Sequence, residues 1–223
     1  AVSSKSNLPE TTMTFIDQWL SADIKDIKAY HVPLSKNMLK MDAMESPFGV
    51  PEDLKQDFLD CIAQAQVNRY PDSNADELHT TIRSLMDIPN DLGVLLGNGS
   101  DELIQLLAMA CNSGDIVMSF EPSFVMYEMV AKFTQLNYQG IKLNDKFEID
   151  LENTLKAITS NKPKLIFIAY PNNPTGNSFD YEAIKEIIKS TDSLVVLDEA
   201  YYAYSDKSFL AEIVNFSNLV VLR

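Results

Sequence analysis

Covalent staples are scarce in this sequence. Two cysteines in 223 residues are too few to frame a fold. Both Cys61 and Cys111 sit in apolar helical patterns, where a thiol packs as a small buried hydrophobe, so no disulfide is expected. Basic charge is scarce as well: 18 Lys and Arg stand against 32 Asp and Glu, a formal net charge of -14. That balance argues against nucleic acid and against an anionic membrane as partners, since both reward clustered cations. No apolar run approaches the roughly 20 residues that span a bilayer, and the opening AVSSKSNLPE has neither the basic nor the apolar region of a secretion leader. The expectation is a cytoplasmic protein. What is present suffices for a sizeable core, with 46% hydrophobic residues in an otherwise ordinary globular composition.

The chain divides by pattern. Residues 1–45 read as an arm and a helix, with Phe15, Ile16, Trp19, Leu20 and Ile24 at helical spacing. After the turn-rich MDAMESPFGVP (41–51), a helix over about 52–65 places Leu54, Phe58, Ile62 and Ala65 on one face. The turn YPDSNAD (70–76) caps the next helix through Asn74 or Ala75. From Asp91 onward, short apolar runs alternate with helices. Strands are expected at 94–97, 115–120, 137–143, 164–170, 193–199 and 218–223, and helices around 101–112, 123–135, 150–160 and 180–190. Runs this apolar, separated by helices, predict an α/β domain over 46–223: a mostly parallel sheet covered by helices on both faces. Ligands of such sheets bind at the loops leaving the carboxyl ends of the strands.

Three of those loops carry chemistry. In Gly97-Asn98-Gly99-Ser100-Asp101-Glu102, two glycines and a hydroxyl open a helix, which suits a phosphate cradle. Alone it suits equally a plain glycine turn with Ser100 or Asp101 as N-cap. Tyr170-Pro171-Asn172-Asn173-Pro174-Thr175-Gly176 is a more specific string: its prolines and glycine fix a rigid turn that can aim an Asn side chain. Asp198-Glu199-Ala200-Tyr201 ends an apolar strand with a carboxylate, costly to bury without a cationic partner. A protonated pyridine nitrogen is such a partner. Pyridoxal 5'-phosphate (PLP) needs a phosphate anchor, an acid facing its ring nitrogen, a donor near its phenolic oxygen and an apolar face. The candidates occur in order, with Asn173 and Asp198 separated by 25 residues, room for one crossover helix and one strand.

GNGSDE, YPNNPTG and DEAYYAY in this order resemble the PLP-dependent aminotransferases of fold type I. Arg69-Tyr70-Pro71-Asp72 and the segment Glu121 to Tyr127 (EPSFVMY) point within them to the histidinol-phosphate branch. The resemblance runs from about Leu39 to Arg223 and implies the fold-type I large domain. It also implies roles: Ser100 and Asp101 on the cofactor phosphate, Phe124 against the ring face, and Asn173 and Tyr201 on the phenolic oxygen. Asp198 would face the ring nitrogen. Tyr70 would reach the phosphate of a neighbouring subunit, making the active unit a homodimer. The implied substrates are L-histidinol phosphate and 2-oxoglutarate, in L-histidine biosynthesis, with Asp198 and Tyr201 in the catalytic set and no metal.

Two departures stand out. The Asn-rich segment usual before Pro-Phe-Gly reads Met44-Glu45-Ser46-Pro47 here. The lysine that carries the cofactor would fall a few residues past Arg223, followed by a small C-terminal domain. The expectation is therefore a fragment, inactive as it stands, of an active parent. Lys162 and Lys164 start a strand at the far end from the site, and Lys185 and Lys189 lie on a crossover helix, expected to be solvated, so none substitutes. Alternatives are another fold-type I enzyme (an aromatic aminotransferase or an amino-acid-phosphate decarboxylase) and a non-catalytic PLP-binding module.

Overall fold

In the computed structural model of the chain, the described residues are 45–223, together with Ile24 and residues 36–38. The expected N-terminal helix lies, apart from Ile24, outside them. Two compact units divide the chain, one within Val32–Val94 and one that contains Leu95–Arg223.

The first unit carries helices α1 (Glu52–Gln64) and α2 (Asp76–Leu85). Neither buries a residue: the expected apolar face of α1 is open, with Leu54, Phe58 and Ile62 each more than half exposed. Cys61 shares that exposure, contrary to the expectation of a buried thiol, because among the described residues no layer covers this face of α1. Of the two positions expected to cap α2, Ala75 is the N-cap, without a side-chain cap bond. Ala75 is left-handed, and the Asp72 carboxylate accepts the N–H of Asn74 (3.1 Å) and of Asp76 (3.3 Å).

The second unit is an α/β layer. Its helices are α3 (Gly99–Met109), α4 (Met126–Phe133), α5 (Leu151–Asn161) and α6 (Tyr181–Lys189). Its strands are β1 (Ile116–Glu121), β2 (Asn137–Lys142), β3 (Leu165–Ala169), β4 (Leu194–Asp198) and β5 (Leu219–Leu222). They pair in parallel throughout, in the order β2-β1-β3-β4-β5. Asp150 and Asp180 start α5 and α6 by accepting the N–H of Asn153 and Ala183, which is why those helices begin where they do. Strand alternation then builds two cores. Met118, Ile166, Ile168, Val195 and Leu197 point to the α5–α6 face with Ile158, Ile184 and Ile187. Val117, Leu165, Phe167 and Val196 point to the α3–α4 face with Ile104, Ala108, Tyr127 and Val130. This is the doubly covered parallel sheet expected from the sequence.

One expected strand is missing. Residues 94–97 form no ladder, and Leu95 is largely exposed. An apolar run becomes a strand only where a sheet edge accepts its backbone groups, and none of the five strands pairs with it. Lys185 also departs from expectation. Rather than standing in solvent, its ammonium lies 3.7 Å from both Glu182 and Glu212 and 5.6 Å from the centre of the Tyr181 ring.

The connections fix where a ligand belongs. From β1 the chain steps outward to β2, then crosses back over β1 to β3 and proceeds the other way to β4 and β5. The order therefore reverses between β1 and β3, and loops leaving their carboxyl ends part there to leave a crevice.

Candidate functional site

At that crevice a cleft is lined by Ser100, Phe124, Tyr127, Ala169, Pro171, Asn173, Asp198, Ala200 and Tyr201. Five candidate residues from four separate loops thus meet in one place: Ser100, Phe124, Asn173, Asp198 and Tyr201. A larger open recess of about 720 Å³ lies beside it toward β2, but of the candidates only Phe124 reaches its wall.

The α3 entry presents backbone donors. Gly99 holds φ +78°, a left-handed value that a side chain would strain, and at Gly97 a Cβ would meet Leu103 at 2.8 Å. Asn98 occupies the N-cap position without a side-chain cap bond. Ser100 and Asp101 therefore lie within the first turn and are not its caps. The N–H of Asn98 is taken by the Glu102 carboxylate at 2.5 Å and that of Gly99 by the Gly97 carbonyl at 3.0 Å, which leaves the following N–H groups of the first turn, at the positive end of the helix dipole, beyond the reach of helix carbonyls. Asp101 is exposed and lines no part of the cleft.

The Pro171–Gly176 turn is held by Asn172, not Asn173. Asn172 is fully buried; its amide donates to the Pro122 carbonyl (3.0 Å) and to Thr175 Oγ1 (2.7 Å), and its oxygen accepts from Ser123 (2.9 Å). These bonds tie the loop after β3 to the loop after β1. The neighbouring Asn173 is left to line the cleft.

At the end of β4 two acids diverge to opposite sides. Asp198 faces the cleft, 6% exposed, with Oδ2 accepting the Tyr127 hydroxyl at 2.8 Å and Oδ1 accepting the Ala200 N–H at 3.1 Å. Burial pushes its carboxyl above the usual range, opposed by those two donors and reinforced by the charges of Asp101 and Glu199. Glu199 turns the other way and is fully buried. It accepts from the Phe209 N–H (2.5 Å), Ser208 Oγ (2.8 Å) and Arg223, whose Nη2 lies at 3.1 Å. Arg223 also lies over the Tyr202 ring at 4.2 Å. The pair fastens the loop after β4 to the end of β5.

Phe124 and Tyr127 enclose the cleft from the α4 side. Their rings meet edge-on at 5.7 Å, and Tyr127 stacks on Phe167 of β3 at 4.9 Å with 1° between planes. Tyr201 comes from the loop after β4. Tyr70 lies in the other unit and is fully exposed. Sequence reasoning left Tyr127, Asn172 and Glu199 without roles. Their partners lie 71, 50 and 24 residues away, and only a buried hydroxyl, amide or acid in an apolar setting hinted at them.

The family model of class I and II aminotransferases matches residues 34–222. The chain is 61% identical over 211 residues to the histidinol-phosphate aminotransferase of Vesicomyosocius okutanii subsp. Calyptogena okutanii, covering 95% of this chain and 60% of that protein. It is 46% identical to that of Thiocapsa roseopersicina, covering 82% of this chain and 98% of the relative. The chain spans 58% of the length of another such relative, from Nitrosococcus oceani. Among solved structures, the histidinol-phosphate aminotransferase of Clostridium acetobutylicum superposes with TM-score 0.67 at 27% identity, over 78% of this chain and 51% of that one. The Sinorhizobium meliloti enzyme, solved with pyridoxal-5'-phosphate, shares the fold with TM-score 0.74 at 17% identity, over 91% and 57%.

Proposed function

Since this chain belongs to the class I and II aminotransferases, we propose that it is the cofactor-binding part of a PLP-dependent enzyme moving an amino group between L-histidinol phosphate and 2-oxoglutarate. The substrate reading, and with it a place in L-histidine biosynthesis, rests on the names of the relatives. The cofactor reading rests on one observation above others: a buried Asp198 at a strand end, in a cleft that also holds Ser100, Phe124, Asn173 and Tyr201. We further propose a cytoplasmic homodimer, in which Tyr70 of one subunit serves the phosphate of the other.

The donor set fits PLP. When bound, the cofactor supplies an electron-accepting ring joined to the carbon at which the amino group is exchanged. Ser100, with the N–H groups of the first turn of α3 that have no helix carbonyl to bond, would hold its phosphate. Asp198 would hold a proton on the ring nitrogen, because its buried charge, disfavoured alone, is stabilised by an adjacent cation. Asn173 and Tyr201 would hydrogen-bond the phenolic oxygen and so set the ring's tilt. Phe124 would cover one face of the ring and exclude water. In each case the side chain would bind and orient, and Asp198 would keep a proton at the ring nitrogen.

The test is borohydride reduction of the protein purified from its own cells, followed by intact mass. The proposal expects a covalent PLP adduct on a protein heavier than 25.0 kDa, the mass of the 223 residues, and glutamate formation that depends on L-histidinol phosphate. An adduct-free protein without that activity would contradict it.

A further inference from the structure

Tyr127 has no place in the functional reading above, yet its geometry is closely specified. Its side chain is 1% exposed, flat against Phe167 on one face and edge-on to Phe124. A phenylalanine would fill that space equally well. A hydroxyl in an apolar core costs stability unless it is bonded, so the oxygen must be accounted for by its partner, and that partner is Asp198 Oδ2 at 2.8 Å.

We infer that Tyr127 is a positioning residue, whose hydroxyl fixes the rotation of the Asp198 carboxylate and keeps it charged to receive a cationic ring nitrogen. The inference rests on the cofactor reading of the cleft. With Oδ2 held from α4 and Oδ1 held by the Ala200 N–H, the carboxylate plane has no free rotation. Around it stand Asp101 on α3 and Glu199 beyond β4, both anionic, so nearby charge favours protonation of Asp198 rather than ionisation. The Tyr127 hydroxyl works against burial and against both acids. Its own proton stays in place: burial first, then the charge and hydrogen bond of Asp198, push the phenol far above its ordinary range. The bond is therefore a fixed donation to a carboxylate, the type that contributes most among neutral donors. Stacking on β3 carries the hydroxyl to its place, so the device links the middle of the sheet to the acid at its rim.

The test uses the whole protein as its cells make it, with Y127F, D198N and the double variant. Phenylalanine preserves the ring packing, so the fold is retained. The first readout needs no ligand: the 13C carboxyl signal of Asp198 is titrated in wild type and Y127F. The second is the Kd for pyridoxamine 5'-phosphate, which lacks the aldehyde that reacts with surface lysines. The expected results are an upward move of the Asp198 titration in Y127F and about tenfold weaker binding at pH 7. In the D198N background, Y127F should cost no further affinity. An unmoved Asp198 titration, or an equal loss of affinity in both backgrounds, would reduce Tyr127 to packing and overturn the inference. A wild type that binds no pyridoxamine phosphate would overturn the cofactor reading, and this role with it, even if the titration moved. The two failures are thus distinguishable.

Discussion

The Tyr127 hydroxyl and the Asp198 carboxylate meet at 2.8 Å across 71 residues of chain. That bond ties the helix after β1 to the end of β4, the two elements flanking β3 at the point where strand order reverses. The same acid is buried and its protonation state is contested by its neighbours, which leads directly to a pH prediction.

Because burial raises the Asp198 carboxyl above the ordinary 3.8, Asp198 takes up a proton more readily in the folded chain than in the unfolded one. Its contribution to stability is fully present below about pH 3.8 and is lost as pH rises through the higher folded value. D198N should therefore raise the melting temperature of the ligand-free chain at pH 7, with the difference vanishing below about pH 4. Thermal melts of both proteins across pH 3.5–7.5 check the sign.

The adjacent asparagines should separate cleanly. N172A removes three side-chain bonds, two of which join the loops after β1 and β3, and should cost about 2–3 kcal/mol in urea unfolding. N173A should stay within about 0.5 kcal/mol of wild type while weakening pyridoxamine phosphate binding.

Glu199 is a structural acid in this account, despite its place beside Asp198. E199A strands Arg223, which is largely buried, and frees the Phe209 N–H, so the expected loss is about 3 kcal/mol in urea unfolding. E199Q keeps one acceptor oxygen, for the Phe209 N–H, but turns its NH2 toward Ser208 and Arg223, so it should cost less than E199A without matching wild type.

Ser100 is expected to act on a phosphate alone. S100A should weaken binding of pyridoxamine 5'-phosphate about fivefold to tenfold and leave binding of pyridoxamine, which has no phosphate, unchanged. Equal loss for both ligands, read by fluorescence titration, would move Ser100 away from the phosphate.

Most of the sheet was legible because buried parallel strands write themselves as uninterrupted apolar runs: LIFIA and LVVLD need no tertiary information to be recognised. Residues 94–97 have the same apolar look but no pairing edge, and edges are a property of the whole sheet. The loops were legible where proline, glycine and asparagine mark turns. What lay beyond reach was the division of labour inside them. Asn172 and Asn173 are the same residue type one position apart, and only the long-range partners Pro122 and Ser123 tell the clasp from the cleft-lining side chain. Asp198 and Glu199 differ in the same way, since strand alternation sends one to the cleft and the other to Arg223. Cys61 is exposed because an apolar helical face predicts burial only where a second layer covers it.

The most direct test of the account is equilibrium titration of the full chain with pyridoxamine 5'-phosphate, alongside N173A and D198N. The account predicts saturable binding of one ligand per chain in the cleft at the β1–β3 crevice, weakened by each substitution. Absence of saturable binding, or binding indifferent to both substitutions, would contradict it.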